Sequence, residues 1–516
     1  MHLWFRRKSM KSLCHGRRLS AALALGALVT FTAPAGEPTV GAEPYQANWS
    51  SLAHRQTPQW LRDGKFGIYT HWGVYSVPAQ GPNGTWFANH AYNSTNSPER
   101  KYWEATYGPL EKFGYKNFIP QFTGEKFNAD EWADLFQKAG ARFAGPVAVH
   151  HDGFCMWDTK YSDWSAAKMG PKRDVLGELA VAIKKRDMRF VTAFHHAENW
   201  WYFPTWNTNL DCGDARYSGL YGPIHPWGEP PSKAFLDDWK NKIVEVIDKY
   251  DPDFVWFDFG LNGIADSYKQ DVLAYYYNRA AAEHKEVVVT YKFHHLPPGA
   301  GLLDLELGQE NELTYSDWIT DSTVDDGEAW GYVKGQGYKT VENLVVNLVD
   351  RVSKNGYLLL NIGPKPDGTI PEEAKQLLLG LGAWLKINGE AIYGTAPWEI
   401  AGEGPTQLTK KSSHGSNFNE NNHLQYTGED IRFTTKGNIL YATALAWPGE
   451  KILIKSLAPQ FNWPGLYPAE IASITMLGAD KELKWEMTKA GLSVETPKAK
   501  PCDGAYVFKI VRKQPF

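Results

Sequence analysis

Between about residues 60 and 395, short apolar runs of strand length alternate with amphipathic stretches of helical period, and this restricts the fold more than any other feature. Runs at 66–71, 145–151, 190–196, 253–258, 286–293, 302–307 and 357–362 give seven strand candidates. The helical stretches between them have readable ends. Asn128 with Glu131 three residues later is a capping-box pattern; Trp132, Leu135, Phe136 and Ala139 then share a face, and Gly140 closes the helix. Asp174 caps the next helix, which buries Leu176, Leu179 and Ile183, and two more run from about Ala234 to Tyr250 and from Val341 to Lys354. Parallel units of this kind form a closed barrel or an open doubly wound sheet. The open sheet of a nucleotide-binding fold needs a Gly-rich phosphate loop after its first strand, and none follows Trp72. The expectation is therefore a (β/α)8-like (TIM) barrel over 45–395.

After Pro397 the helical period gives way to short strand-like runs at 439–444, 451–454 and 505–511, broken by Gly, Pro and Asn. These predict a C-terminal antiparallel β-sandwich over 396–516, with 410–422 as a flexible polar loop. At the other end, Arg6, Arg7, Lys8, Lys11, Arg17 and Arg18 precede an apolar run from Leu19 to Phe31 and the small residues Ala33-Pro34-Ala35. That is the pattern of a signal peptide over 1–35, too short in its apolar part to span a bilayer comfortably, and it predicts a secreted or periplasmic protein. Its context fits a twin-arginine signal poorly. Removal of Cys14 with the signal leaves Cys155, Cys212 and Cys502, enough for one disulfide at most.

A net charge of −4 over 516 residues argues against nucleic acid or an anionic membrane as partner. The 22 Trp, 26 Tyr and 24 Phe are the marked bias, and they suit either an aromatic core or faces that stack on sugar rings.

Barrel enzymes carry their chemistry at the C-terminal ends of the strands. Here those ends hold His71, His150-His151, His195-His196, Asp258, Lys292, Glu306 and Asn361. Period-two alternation puts Phe254, Trp256 and Asp258 on one face, and Asp304 with Glu306 on one face of the strand next but one. Asp258 and Glu306 can thus reach across one sugar, the pairing that glycoside hydrolysis requires; the competing reading is a salt bridge to Lys292 on the intervening strand. The histidines raise a metal site. Adjacent strand residues point to opposite faces, and no His-x-His or HExxH occurs, so no metal or other cofactor is expected and the rings suit sugar hydroxyls better.

The segments Lys65-Phe66-Gly67-Ile68-Tyr69-Thr70-His71-Trp72-Gly73, Tyr75-Ser76-Val77-Pro78, His150-His151-Asp152-Gly153-Phe154, Gly170-Pro171-Lys172-Arg173-Asp174 and Trp256-Phe257-Asp258 lie in this order. They are followed by Trp330-Gly331-Tyr332, Asn355-Gly356 and Asn361-Ile362-Gly363-Pro364. Together, over about Trp60 to Trp398, the chain resembles the α-L-fucosidases of glycoside hydrolase family 29. The resemblance implies a retaining exo-glycosidase that frees terminal α-L-fucose from oligosaccharides or polysaccharides by double displacement on a barrel followed by a β-sandwich. It implies Asp258 as nucleophile and Glu306, in Asp304-Leu305-Glu306-Leu307-Gly308, as acid/base, with Glu310 and Glu312 as reserves. It also implies sugar contacts from His71, His150 and His151, an apolar wall at Trp86, and further contacts from His195 and Trp330. Two positions depart from the family pattern. Thr85 stands where many members have a hydroxyl-binding Glu, and Lys292 where some have an Arg. These departures bear on which sugar is held, and an α-L-galactoside is the alternative substrate. A carbohydrate-binding protein that has lost catalysis is the alternative of another class.

Overall fold

The computed structural model describes residues 44–327, 329–406, 418–420, 424–459 and 466–515. The signal peptide expected at 1–35 lies outside them, as does most of the loop expected at 410–422.

Eight parallel strands close a barrel in chain order: β1 (Phe66–Thr70), β2 (Phe143–Val149), β3 (Arg189–Phe194), β4 (Phe254–Phe257), β5 (Val288–Lys292), β6 (Leu302–Asp304), β7 (Trp318–Thr323) and β8 (Gly356–Ile362), with β8 pairing back onto β1. Each of the seven apolar runs overlaps one of these strands. The eighth, β7, reads Trp-Ile-Thr-Asp-Ser-Thr and has no apolar signature. Its Ile319 faces the barrel interior, whereas Thr320 and Ser322 on the other face bond to the Gly308 carbonyl and to Glu420. That outer face meets polar partners, so the strand lacks the apolar composition that would announce it.

The barrel interior is a packed core of Tyr69, Phe143, Val191, Phe254, Trp256, Ile319 and Leu359 among others. Gly67 on β1 makes room for it: a Cβ there would fall 2.1 Å from the Phe143 ring. Six long helices wrap the strands: α1 (Ala129–Lys138), α2 (Val175–Lys184), α3 (Lys233–Tyr250), α4 (Asp266–Ala282), α5 (Val341–Ser353) and α6 (Glu372–Asn388). Asn128 caps α1 by accepting from the backbone N–H of Asp130 and Glu131, and Asp174 caps α2 through Gly177 N–H. No helix separates β5, β6 and β7; loops alone connect them. One flank of the barrel is therefore left for other parts of the chain to cover.

The C-terminal part is a sandwich of two antiparallel sheets. Its strands are β9 (Ala396–Glu403), β10 (Ile431–Lys436), β11 (Ile439–Ala444), β12 (Lys451–Ile454), β13 (Ile471–Met476), β14 (Trp485–Thr488), β15 (Gly491–Glu495) and β16 (Tyr506–Arg512). The sheets run β13-β16-β11-β10-β9 and β12-β15-β14, and their inner faces share one core that includes Phe433, Leu440, Ile452, Val494 and Phe508. A buried ion pair ties the sandwich to the barrel. Asp350 of α5 accepts from Lys354 Nζ at 2.7 Å and from Arg432 Nε of β10 at 2.6 Å.

Cys155, Cys212 and Cys502 are all free thiols. Most of the aromatic bias is spent on the core, where Trp72, Trp103, Trp157, Trp239 and Trp256 are fully buried. Among the described residues no helix is long and apolar enough to cross a membrane.

Candidate active site

A small pocket opens at the C-terminal ends of the strands. It is lined by His71, Trp86, His150, His151, His195, Asp258, Lys292, Glu306 and Trp330, together with Thr85, Trp256, Phe259 and Asp321. Every catalytic and sugar-contact residue expected from the sequence lies in this one pocket, whereas the strand-end candidates His196 and Asn361 do not line it. Neither reserve does, and Glu312 lines a separate groove with Tyr315 and Glu399.

Asp258 follows the last residue of β4 and is 5 % exposed. Its Oδ2 receives His195 Nδ1 at 2.7 Å and lies 3.4 Å from His151 Nε2. Its Oδ1 has no hydrogen-bond donor among the described residues and faces Lys292 Nζ at 3.3 Å. Burial pushes this carboxyl up, but the Lys292 ammonium and the His195 ring outweigh it and hold Asp258 well below the usual carboxylate range.

Glu306 sits one residue past Leu305 in the turn that leaves β6. Its Oε2 accepts from Lys292 Nζ at 2.6 Å. Both readings of this pair are realised together: the lysine bridges the two carboxyls, and the carboxyls face one pocket. Since one ammonium contacts Asp258 Oδ1 and Glu306 Oε2, those oxygens are at most about 6 Å apart, close enough for both carboxyls to reach one sugar. Burial pushes Glu306 up to about 8; Lys292 opposes this, while the charges of Asp321 and Asp258 reinforce it. The two carboxyls are thus driven in opposite directions, the pattern of a nucleophile paired with an acid.

Under these residues lies a second carboxyl pair. Asp321 Oδ2 accepts from Lys292 Nζ at 3.2 Å and from Tyr69 Oη at 3.1 Å. Asp304 accepts from the Asp321 N–H at 3.0 Å and from Trp256 Nε1. Burial first and then the neighbouring Asp321 raise Asp304 well above the usual range. Lys292 is 1 % exposed; burial disfavours its charge, but Asp321, Glu306 and Asp258 overcome that and keep it protonated. Three acidic groups therefore share one cation.

The imidazoles correct one expectation. His150 and His151 both face the pocket, because β2 ends at Val149 and the two residues lie in the turn beyond it, where strand alternation no longer holds. His195 and His196 do alternate: His196 turns outward, its Nε2 3.3 Å from the Trp239 carbonyl. His71 Nδ1 donates to Asn361 Oδ1 at 2.8 Å and His151 Nδ1 to the His195 carbonyl at 2.8 Å, which fixes both tautomers. Burial holds His71 and His150 well below the usual imidazole range and takes His151 down to about 3. Neutral rings with inward nitrogens are acceptors for hydroxyl donors. Ligand atoms of His71, His150 and His195, and those of His151, His195 and Asp258, also lie within 4.8 Å of one another, close enough to hold an ion. The fixed ammonium 3.3 Å from Asp258 already supplies the positive charge there and opposes a second cation. Trp86 closes one wall, stacked on Phe259 with centroids 5.9 Å apart, and Trp330 closes another, 5.4 Å from His71.

Asp321 escaped the sequence reading with β7 itself. Glu198 is a second carboxyl not singled out there; burial, and after it the charge of Asp258, push it up to about 7. Its only sequence signal is its place three residues after His195, in the loop that leaves β3.

Comparison with known proteins follows the same lines. The pattern of the family described as "Alpha-L-fucosidase" matches residues 33–390, and that of "Alpha-L-fucosidase C-terminal domain" matches 424–511. The chain is 30 % identical over 505 residues to the tissue alpha-L-fucosidase of Rattus norvegicus, covering 95 % of this chain and 98 % of that one. It is 32 % identical over 482 residues to the plasma alpha-L-fucosidase of Homo sapiens, covering 89 % and 90 %. Among solved structures, the alpha-fucosidase of Thermotoga maritima in complex with a mechanism-based inhibitor is 32 % identical, with a TM-score of 0.71 over 90 % of this chain and 100 % of that one.

Proposed function

The chain belongs to the α-L-fucosidase family of retaining glycoside hydrolases and frees terminal α-L-fucose from glycans, and we propose that it does so with Asp258 as nucleophile and Glu306 as acid/base. The observation that carries this assignment is the shared lysine. It holds the two carboxyls across one pocket while their proton affinities are pushed apart.

In the first step Asp258 Oδ1, the oxygen without a hydrogen-bond donor, attacks the anomeric carbon. Glu306 gives its proton to the departing glycosidic oxygen, and a fucosyl ester forms on Asp258. Esterification removes the Asp258 charge that helps keep Glu306 protonated, so Glu306 gives up its proton more readily once the ester exists. It then takes a proton from water, the water attacks the anomeric carbon, and the second inversion restores the original configuration. No cofactor enters either step. Trp86 and Trp330 provide apolar faces for the ring and the His71, His150, His151 and His195 rings meet its hydroxyls. Thr85, 1 % exposed in the pocket wall, makes only neutral contacts where a charged group would bind hydroxyls more tightly.

The test is hydrolysis of 4-nitrophenyl α-L-fucoside. Asp258→Gly is expected to fall to background and to recover with azide, which fills the vacated space and yields the inverted β-fucosyl azide. An unchanged rate in Asp258→Gly removes the assignment. The alternatives of an α-L-galactosidase and of a protein that has lost catalysis are not favoured, since the family match is to fucosidases and both carboxyls are in place.

The basic N-terminus followed by an apolar run and Ala33-Pro34-Ala35 supports export of the protein to the periplasm or the medium. N-terminal sequencing after cell fractionation tests this; an intact Met1 in the cytoplasmic fraction overturns it.

A further inference from the structure

The turn that carries Glu306 is not held by the barrel alone. Leu307, a bulky residue directly after Glu306, has φ 43°, in the left-handed region that such side chains avoid. No helix connects β5, β6 and β7 on this flank. Three residues from beyond the barrel, Phe418, Asn419 and Glu420, lie along the turn instead. Phe418 N–H donates to the Glu306 carbonyl and Glu420 N–H to the Leu307 carbonyl, each at 2.8 Å. Between them Asn419 exchanges three hydrogen bonds with Gln309: Gln309 N–H to Asn419 Oδ1 at 2.8 Å, Gln309 Nε2 to the Asn419 carbonyl at 3.1 Å, and Asn419 Nδ2 to the Gln309 carbonyl at 2.9 Å.

The segment is itself anchored. Glu420 is 4 % exposed and accepts from Ser322 Oγ of β7, Lys339 Nζ and Arg351 Nη2 of α5, all within 3.1 Å. Arg351 Nη2 also donates to the Gly308 carbonyl at 3.1 Å, so one guanidinium joins the anchor to the turn. A carboxylate buried this deeply is costly unless fully paired, and here two cations and a hydroxyl pair it.

We propose that Phe418–Glu420 is a positioning strap: it fixes the strained turn by pairing with the backbone of Glu306, Leu307 and Gln309, and so sets the direction in which the acid/base presents its proton. Glu420 and Asn419 are positioning residues that act through Glu306, and the inference rests on the reading of Glu306 as acid/base. A displaced acid hurts most where the leaving group needs protonation. Nitrophenolate leaves with little help, whereas phenolate needs the proton.

The experiment compares kcat/KM on 4-nitrophenyl and phenyl α-L-fucosides for the full chain and for Asn419→Ala, Glu420→Gln and Glu306→Gln, with Tm measured for each. General acid catalysis is worth about 10²–10⁴-fold, so the strap variants are expected to lose about tenfold or more on the phenyl substrate and far less on the nitrophenyl one. Partial unfolding would lower both rates by the same factor. Glu420→Gln leaves Lys339 and Arg351 without their counter-charge; should it not fold, Asn419→Ala, which removes only neutral contacts, decides. If Glu306→Gln shows the leaving-group bias and the strap variants do not, the strap is overturned and the acid/base reading stands. If Glu306→Gln shows no bias, that reading falls and the strap falls with it.

Discussion

The Lys292 ammonium lies 2.6 Å from Glu306 Oε2, and the same nitrogen is 3.3 Å from Asp258 Oδ1. One cation therefore serves both carboxyls of the pocket. Its charge lowers the proton affinity of each, so removing it should raise both. In Lys292→Met the acid and alkaline limbs of kcat/KM against pH are both expected to move to higher pH, with kcat lower by about 10²-fold, the scale of a lost electrostatic contact. Limbs that stay in place would mean that the lysine does not tune these carboxyls.

In its proposed role as acid Glu306 must hold its proton, and burial keeps it protonated up to about 8, so kcat/KM should fall as pH rises through that value. In its proposed role as nucleophile Asp258 must be ionised, and it stays so well below the usual carboxylate range, so it imposes no acid limb above about pH 4. Glu306→Gln should abolish the alkaline limb. A limb persisting near 7 in that variant would point to Glu198 as the acid.

Two clusters of imidazole and carboxylate atoms are close enough to bind an ion, yet a fixed ammonium already faces Asp258. Dialysis against a strong chelator is therefore expected to leave kcat/KM on 4-nitrophenyl fucoside unchanged. Loss of activity restored by a divalent metal would overturn that expectation and give the histidines a different role.

Stability should depend on Asp350, which is 1 % exposed between Lys354 and Arg432. Burial pushes this carboxyl up, but the two cations prevail and depress it far below its unfolded value of about 3.9. A depressed carboxyl contributes stability that is complete above the unfolded value and is lost as pH falls toward the folded one. Asp350→Asn leaves two buried cations unpaired and should cost about 3–5 kcal/mol in denaturant unfolding at pH 7. Its Tm should also vary less with pH in the acid range.

What could be read from the chain followed the apolar signal. Phe66, Phe190 and Val288 begin or sit in strands that alternate with α1 to α4, and those strands end in polar residues that converge on one mouth. Polar partners hid the rest. β7 packs its Thr320 and Ser322 face on polar groups, so neither the strand nor Asp321 stood out. His150 and His151 escaped strand geometry because the strand had already ended. Glu420 sits in a stretch whose composition suggested a loose loop, and only its long-range partners Ser322, Lys339 and Arg351 reveal a buried charge. Such pairings, 69 to 98 residues apart, leave no local pattern.

The flank between β5 and β7 without helices has a bearing on heredity. In a (β/α)8 barrel whose helices form a complete outer ring, a follower can be lost without uncovering a flank. Here the missing cover comes from residues 418–420, downstream of the barrel's last helix. A recombination joint between 395 and 418 would hand the barrel a foreign follower and strip the lining from the turn that carries Glu306. A barrel that keeps this lining must therefore keep the residues that follow it.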